Sequence, residues 1–441
     1  MGTRPFCPEF VAGLRYRNSP AVGKARPAVG YPRLEPPDLR HPGMRVLHLV
    51  PSLDMDTGGP ARSVPALCRA LQDLGLEVTL MSFGRARSPV TVTGREPFQV
   101  QWQNPWPGTR QFPTPSFYRE LRHSLGQFDL VHLHSFWNAA VDVAALACRR
   151  SRIPYLISPR GMLQETAVGR KGWLKKTYHA AWGQRTLQGA ALLHFFTQAE
   201  ARDSSQFLRG EKAAQVIIPN GIDLELGAGA SQDQFLKDFP KLAGKRIMLF
   251  VGRLHWSKGL DLQAQALELL APKFPDLVWV LAGPDEGEWP RLSRYLQQRG
   301  LAERALWTGL LPRQQCLDAL AAANVFVLTS RHEAHSMAMN EALAVGIPVV
   351  ITDSVQFEAV QEYGAGLVAA SQPAALAEAV ANVLEHPEKA SDMRQSCRRL
   401  AAEQLAWPRV AERMAAAYRQ VLDGARQSGV HTEVVSTGSG L

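Results

Sequence analysis

The stretch I-M-L-F-V-G-R-L-H-W-S-K-G at 247–259 decides the fold. An apolar run forms a strand to Val251, a glycine permits the turn, and a helix begins near Lys258. A continuous apolar run, rather than an alternating one, is what a parallel strand covered by helices on both faces requires. Arg253 and Lys258 leave this strand–loop–helix junction beside free backbone N–H groups and the positive end of a helix dipole, surroundings that favour an anion. Two fixed cations there suit a diphosphate, whose charge grows as it departs. Taken alone, the same residues read equally well as a solvated basic loop.

The same grammar extends in both directions. Toward the carboxyl end, apolar runs at 277–282, 325–328 and 348–351 alternate with helical patterns, followed by alanine-rich helices at 373–385, 389–404 and 408–424. Toward the amino end, strands are expected near 44–50, 77–82, 129–134, 154–158, 191–195 and 215–218, with amphipathic stretches such as 60–75 and 137–150 between them. This predicts an α/β chain of two doubly wound, Rossmann-like domains facing a cleft, with ligand at the carboxyl ends of the strands. The expected boundaries are an amino-terminal domain at 44–225 and a loop-like linker at 226–245 marked by Gly227, Gly229 and Ser231. A second domain is expected at 246–407, then a helix at 408–424 packing back across the cleft and a flexible tail at 425–441.

Composition narrows the function. The chain has 441 residues, 46% hydrophobic and 20% charged, enough apolar content for large cores. No run reaches the length of apolar residues that a membrane-spanning helix needs. The five cysteines, Cys7, Cys68, Cys148, Cys316 and Cys397, form no C-x-x-C pair and read as reduced thiols. Of the net charge of +9, residues 1–43 contribute seven Lys/Arg against three acids, within a segment holding eight Pro and five Gly. That segment reads as a disordered or mis-called extension, with Met44 as a natural start. The modest charge left on the remainder does not call for a nucleic-acid partner, and the missing secretory h-region points to a cytoplasmic protein.

The second informative stretch is S-R-H-E-A-H-S-M-A-M-N-E at 330–341. Glu333 follows a strand, Ser336 is placed to cap the next helix, and Glu341 lies within that helix near its start. Glu341 can accept hydrogen bonds from vicinal hydroxyls, as a ribose presents; otherwise it is a dipole-favoured surface acid.

These two segments, in this order, resemble the retaining family-4 glycosyltransferases of the GT-B fold, also called glycosyl transferases group 1. That family shows a G-R-x4-K-G loop, here Gly252 to Gly259, and an E-x7-E pair, here Glu333 to Glu341. The resemblance implies that Arg253 and Lys258 hold the donor diphosphate, that Glu333 contacts the transferred sugar, and that Glu341 contacts the ribose. Gly252, Ala334, His335 and Ser336 join them on the donor side. The family's E-G-F-G reads Glu333-Ala334-His335-Ser336 here, so His335 adds a titratable group beside the hexose. The implied reaction is retaining transfer of a hexose-type sugar from a UDP or GDP donor to an acceptor hydroxyl, in cell-envelope or extracellular polysaccharide synthesis. The nucleotide-sugar is a substrate, so no cofactor is expected.

The amino-terminal half carries weaker signals. Gly58 and Gly59 before a helix permit close approach of an acceptor or a phosphate. His132 and His134 share one strand face; His132 suits a core, whereas His134, at the strand end, resembles the family's active-site histidine. Arg160, in S-P-R-G-M, is placed to pair with an acceptor phosphate, and Asn220, in I-P-N-G-I-D, resembles the family's inter-domain turn. Asp54-Met55-Asp56 matches a metal-binding D-x-D of a different glycosyltransferase fold, but Arg253 and Lys258 already supply cationic charge, so no metal is expected.

Residues 170–185 mix Arg170, Lys171, Lys175, Lys176 and Arg185 with Trp173, Leu174, Tyr178 and Trp182. Residues 174, 178, 181 and 182 share a helical face. This is either a helix packed on its own domain or a peripheral contact with the inner face of a membrane carrying a lipid-linked acceptor. A nucleotide-sugar epimerase of the same fold and a catalytically inactive relative acting as a binding partner remain the alternative readings.

Overall fold

The computed structural model describes residues 43–54, 59–84, 96–164, 172–208, 213–331 and 333–427. The expectations for residues 1–42, Asp56, Gly58, Arg170, Lys171 and the tail beyond 427 lie outside the described residues.

The first lobe is built on strands β1 (Arg45–Val50), β2 (Glu77–Phe83), β3 (Gln99–Gln103), β4 (Leu130–His134), β5 (Tyr155–Ser158), β6 (Leu192–Phe195) and β7 (Ala214–Ile217). The second is built on β8 (Arg246–Val251), β9 (Leu277–Ala282), β10 (Ala305–Gly309), β11 (Val325–Leu328), β12 (Val349–Thr352) and β13 (Gly366–Ala369). The strand orders are β3-β2-β1-β4-β5-β6-β7 and β10-β9-β8-β11-β12-β13. Every pairing within them is parallel. Each order reverses once, between β1 and β4 and between β8 and β11. Crossovers on either side of such a point leave to opposite faces and open a crevice at the strand carboxyl ends. The chain is therefore GT-B in architecture.

Three strands, β3, β10 and β13, carry no apolar run long enough to announce them. All three are edge strands, wholly or partly open to solvent. With only part of each strand covered, burial does not require continuous apolar sequence.

Seven helices position the site: α1 (Pro60–Asp73), α2 (Ala139–Ser151), α3 (Gly172–Tyr178), α4 (Gln184–Gln188), α5 (Gln232–Asp238), α6 (Leu260–Leu270) and α7 (Met337–Val345). An eighth, α8 (Trp407–Gln427), ends the described chain. One core of the first lobe lies beneath α2. The other lies beneath α1 and α8, so the last helix is a structural part of the first lobe. It gets there where the chain passes twice between lobes: Ile222 N–H donates to the Leu405 carbonyl (2.6 Å) and Trp407 N–H to the Ile222 carbonyl (3.2 Å). Gly221 has no room for a side chain, because the Trp407 ring lies against it.

The segment 226–245, expected as a loop-like linker, is ordered onto the second lobe. Ser231 Oγ caps α5 by accepting from Gln234 N–H, and Phe235 is fully buried in the second core. A seven-residue helix with one buried residue leaves almost no periodic signal.

The 170–185 segment also departs from its expected phase. Between α3 and α4 runs a π turn, His179–Gly183. Such a turn holds one residue more than an α turn and rotates the residues beyond it about the helix axis. Gly183, Thr186 and Leu187 face inward, while Ala181 and Trp182 face out, Trp182 60% exposed and Trp173 69% exposed. Tyr178 stays half-buried and donates to Asp142 of α2.

Candidate active site

At the switch point of the second sheet, the loops after β8 and β11 are pressed together. Gly259 sits at φ 64°, and a Cβ there would strike the Thr329 carbonyl. This contact brings the two sequence motifs into one place. Lys258 Nζ lies 2.6 Å from Glu333 Oε2, which also accepts from Ser330 Oγ (2.9 Å). Arg253 projects from the same loop and pairs with Glu286 Oε1 at 2.7 Å, more than half exposed. Ser336 Oγ accepts from Met339 N–H and caps α7, as the sequence reading expects. Glu341 lies in α7 with its side chain largely covered, 3.9 Å from Arg313. Burial raises its pKa, opposed by Arg313 and by Arg62 of α1 across the cleft.

Ala334 meets the first lobe: a Cβ on Gly161 would lie 2.7 Å from the Ala334 Cβ. Next to it, Asn340 donates its amide to the Asn220 carbonyl (2.9 Å), so its Oδ1 must accept from His335 Nε2–H (2.9 Å). His335 Nδ1 is then a bare lone pair, buried and without a hydrogen-bond partner. Burial holds the ring neutral, its pKa pushed down to about 4.

The switch point of the first sheet is built from histidines. His48 of β1, His132 and His134 of β4, and His194 of β6 are all buried. His134, expected at the cleft edge, is fully buried beneath Arg160. The turn after β4, with Ser135 at φ 86° and Trp137 at φ 51°, carries the chain away, and the Arg160 guanidinium closes over the imidazole. Arg160 donates to His134 Nδ1 (3.1 Å) and Ser63 Oγ (2.9 Å) and lies over the Phe196 ring at 5.1 Å. Glu200 lies beneath it, fully buried, accepting from the backbone N–H groups of Gly161 and Phe196. Burial pushes the Glu200 carboxyl up to about 7, against the pull of those two bonds and of Arg160. The same burial pulls Arg160 down to about 10. Gly59, the residue before α1, has open space where a Cβ would be, so close backbone approach to a ligand remains available there.

Beside this cluster, a cavity of about 400 Å³ opens at the carboxyl ends of β1 and β4. Ser52, Gln111, Trp137, Asn138, Met162 and Lys175 line it. Trp137 Nε1–H donates to the Met162 carbonyl (2.7 Å), and Lys175 Nζ lies 5.8 Å from the Trp137 ring centre.

The structure thus brings Lys258 to Glu333 on the loop that Gly252 and Arg253 open, sets Ser336 and Glu341 on α7, and puts Ala334 against Gly161 of the first lobe. Asn220, just before the crossing at Ile222, meets Asn340 and through it His335, while Arg160 and Gly59 belong to the first lobe. The sequence reading missed Asn340 and Glu200. Glu200 carried a signal, the T-x-x-E of a helix start. Thr197 does cap that helix, Gln198–Ser204, but the carboxylate reaches past the usual target to the N–H groups of Phe196 and Gly161. Asn340 sits mid-helix and gives no such sign.

Two family models match the chain, Glycosyltransferase Family 4 over residues 57–226 and Glycosyl transferases group 1 over residues 231–400. The chain is 26% identical over 315 residues to D-inositol 3-phosphate glycosyltransferase 1 of Catenulispora acidiphila, covering 68% of this chain and 74% of that one. It is 29% identical over 227 residues to a putative teichuronic acid biosynthesis glycosyltransferase of Bacillus subtilis, covering 51% and 53%. Among solved structures, Anabaena HepE in complex with UDP is similar in fold, with a TM-score of 0.71 at 18% identity, covering 86% of this chain and 100% of that one.

Proposed function

This chain belongs to glycosyltransferase family 4, and from that premise we propose that it moves a hexose from a UDP or GDP donor to an acceptor hydroxyl with retention of configuration. The observation that carries the reading is the Lys258–Glu333 pair at 2.6 Å, set beside Arg253 at the switch point of the second sheet. Lys258 and Arg253 bind the diphosphate as the bond from the anomeric carbon to the phosphate oxygen breaks and the electron pair leaves with phosphate. Glu333, charge-paired and hydrogen-bonded by Ser330, orients the sugar. The acceptor hydroxyl attacks from the side the diphosphate leaves, and its proton passes to the departing phosphate oxygen. Glu341 takes the ribose hydroxyls. His335 Nδ1 can only accept, so the sugar group beside it is one that donates, a free hydroxyl.

HepE, similar in fold, is seen with UDP, which supports a uridine donor; the teichuronic acid relative supports a role in polysaccharide synthesis. The intact Lys258–Glu333 pair speaks against an inactive relative, and the separate cavity, with room for an acceptor, against an epimerase. A thermal-shift panel of UDP-, GDP- and ADP-sugars, followed by assay of nucleotide release, tests the reading. One donor should raise Tm and release its diphosphate; no stabilisation by any of them overturns it.

For the acceptor, a second observation favours a membrane surface. No acid occurs over 172–188, and its outward face presents Trp173, Lys176, Trp182 and Arg185, next to the cavity that Lys175 lines. Aromatic rings with cations suit the headgroup region of an anionic bilayer. No helix among the described residues is long and apolar enough to cross a membrane. Sedimentation with phosphatidylglycerol vesicles at low salt should fall severalfold for Trp182→Ala or for Lys176→Gln with Arg185→Gln. Failure of the unmodified protein to sediment would remove the membrane from the proposal and leave the transfer reaction standing.

A further inference from the structure

The histidines of the first lobe form a chain of hydrogen bonds with two chemically fixed ends. At the cleft, Arg160 can only donate, and it meets His134 Nδ1 at 3.1 Å. At the far end, the Ile218 carbonyl can only accept, and it meets His194 Nε2 at 2.8 Å. Between them run His134 Nε2 to His48 Nδ1 (3.0 Å), His48 Nε2 to Tyr418 Oη (3.3 Å) and Tyr418 Oη to His132 Nδ1 (2.7 Å). His132 Nε2 to Ser158 Oγ (2.6 Å) and Ser158 Oγ to His194 Nδ1 (2.6 Å) complete the path. Both ends impose the same direction, so all the protons between them are assigned. Each imidazole is neutral with its proton on Nε2, and each hydroxyl accepts once and donates once. Burial, which pushes all four histidines well below their ordinary range, agrees.

The assignment also disposes of another reading. His48, His132 and His134 have nitrogens within 4.8 Å of one another, close enough to surround a cation. In the directed chain every one of their lone pairs already accepts a hydrogen bond, and the Arg160 charge lies alongside.

Tyr418 is the one member from outside the sheet, delivered by α8 from the far end of the sequence. We propose that Tyr418 is a positioning residue for the cleft: its hydroxyl fixes the tautomers of His48 and His132 and, through His48 and His134, holds the Arg160 guanidinium in place. Without the hydroxyl, the Nε2–H of His48 has no acceptor. If the His48 proton moves to Nδ1, it meets the Nε2–H of His134. Shifting the proton of His134 in turn aims an N–H at Arg160, donor against donor. Ser158 lies on the other side of Tyr418, so losing it leaves the leg from Tyr418 to Arg160 intact.

The test has a spectroscopic arm that is independent of the proposed reaction and a kinetic arm that rests on it. With 15N-histidine labelling at pH 7, four histidines should show the neutral Nε2–H tautomer, assigned by single His→Gln replacements. Any of the four appearing as Nδ1–H or as imidazolium overturns the chain. Tyr418→Phe should shift the His48 and His134 signals and raise the acceptor KM about tenfold with the donor KM unchanged. Ser158→Ala should move the His132 and His194 signals and change the acceptor KM less than twofold, even if both variants lose similar Tm. Equal kinetic effects from the two variants, or unchanged His134 signals in Tyr418→Phe, would reduce Tyr418 to a packing residue. If no sugar is transferred at all, the His134 signals still decide the proposal. If Tyr418→Phe does not fold, the tautomers of the unmodified protein and the Ser158→Ala shifts decide it.

Discussion

The two switch points have the same topology and opposite chemistry. In the second lobe, β8 and β11 lead into charged pairs, the largely covered Lys258 with Glu333 and the more exposed Arg253 with Glu286. In the first, β1 and β4 end in neutral, fully buried imidazoles behind a single cation, Arg160. A parallel sheet supplies the crevice in both cases; the side chains that fill it decide whether the wall handles charge or geometry. In the proposed reaction, charge pairs that solvent still reaches can exchange partners with a departing diphosphate. Buried neutral groups with assigned protons cannot exchange anything cheaply, and they hold a shape.

The largest expected effect is acid lability concentrated in the first lobe, which holds four such buried histidines where the second holds one, His335 at about 4. A histidine whose folded pKa lies below its unfolded 6.5 is held neutral by the fold, so its contribution is intact above 6.5 and is lost as pH falls toward the folded value. For His48 and His194, each at about 3, the loss by pH 5 is about 2 kcal/mol apiece. His132 and His134 push the same way. Glu200, raised to about 7, works in reverse, because its neutral form is the one the fold prefers, and returns about 2 kcal/mol over that interval. Hydrogen exchange from pH 7.5 to 5 should therefore show β1, β4 and β6 losing protection before β8, β9 and β11. Simultaneous loss in both sheets would erase the contrast.

Next comes the charged wall. Arg253→Ala or Lys258→Ala should lower kcat on the order of a hundredfold with little change in donor Kd, since their attraction grows as the diphosphate leaves. A pure Kd effect would make this wall a binding surface only. Glu341→Ala is expected to be milder and of the other type, raising donor Kd about tenfold while kcat holds, because ribose contacts barely change during the reaction. The smallest expected effect is none: EDTA should leave the transfer rate within experimental error, because the proposed reaction gives Arg253 and Lys258 the role a divalent ion would play. Activity lost with EDTA and restored by magnesium or manganese would reverse that assignment.

The charged wall was legible in the sequence because both its motifs are local: a strand, a turn and a helix start, each written in adjacent residues. The histidine wall was not. His48, His132, Ser158, His194 and Tyr418 come from four strands and the last helix, and nothing in any one stretch says that they meet. His134 was found, but its burial was not, since burial depends on where Arg160 closes. The phase of 172–188 failed for a different reason: a π turn adds a residue without altering composition, so helical periodicity alone turns Trp182 inward. Edge strands β3, β10 and β13 were silent because solvent, not a helix, covers much of each.

The double passage of the chain between lobes, at Ile222 and at Leu405–Trp407, has a consequence for the protein as a unit of inheritance. The second lobe is continuous in the gene, whereas the first is assembled from an early stretch and the final helix. A frameshift near residue 405 would spare every described strand of both sheets, yet strip α8 from the apolar trough beside α1 and with it the Tyr418 hydroxyl that joins His48 to His132. Swapping whole lobes between relatives therefore has to exchange two separate pieces of coding sequence, and a crossover at the single visible midpoint joins a first lobe to another protein's closing helix.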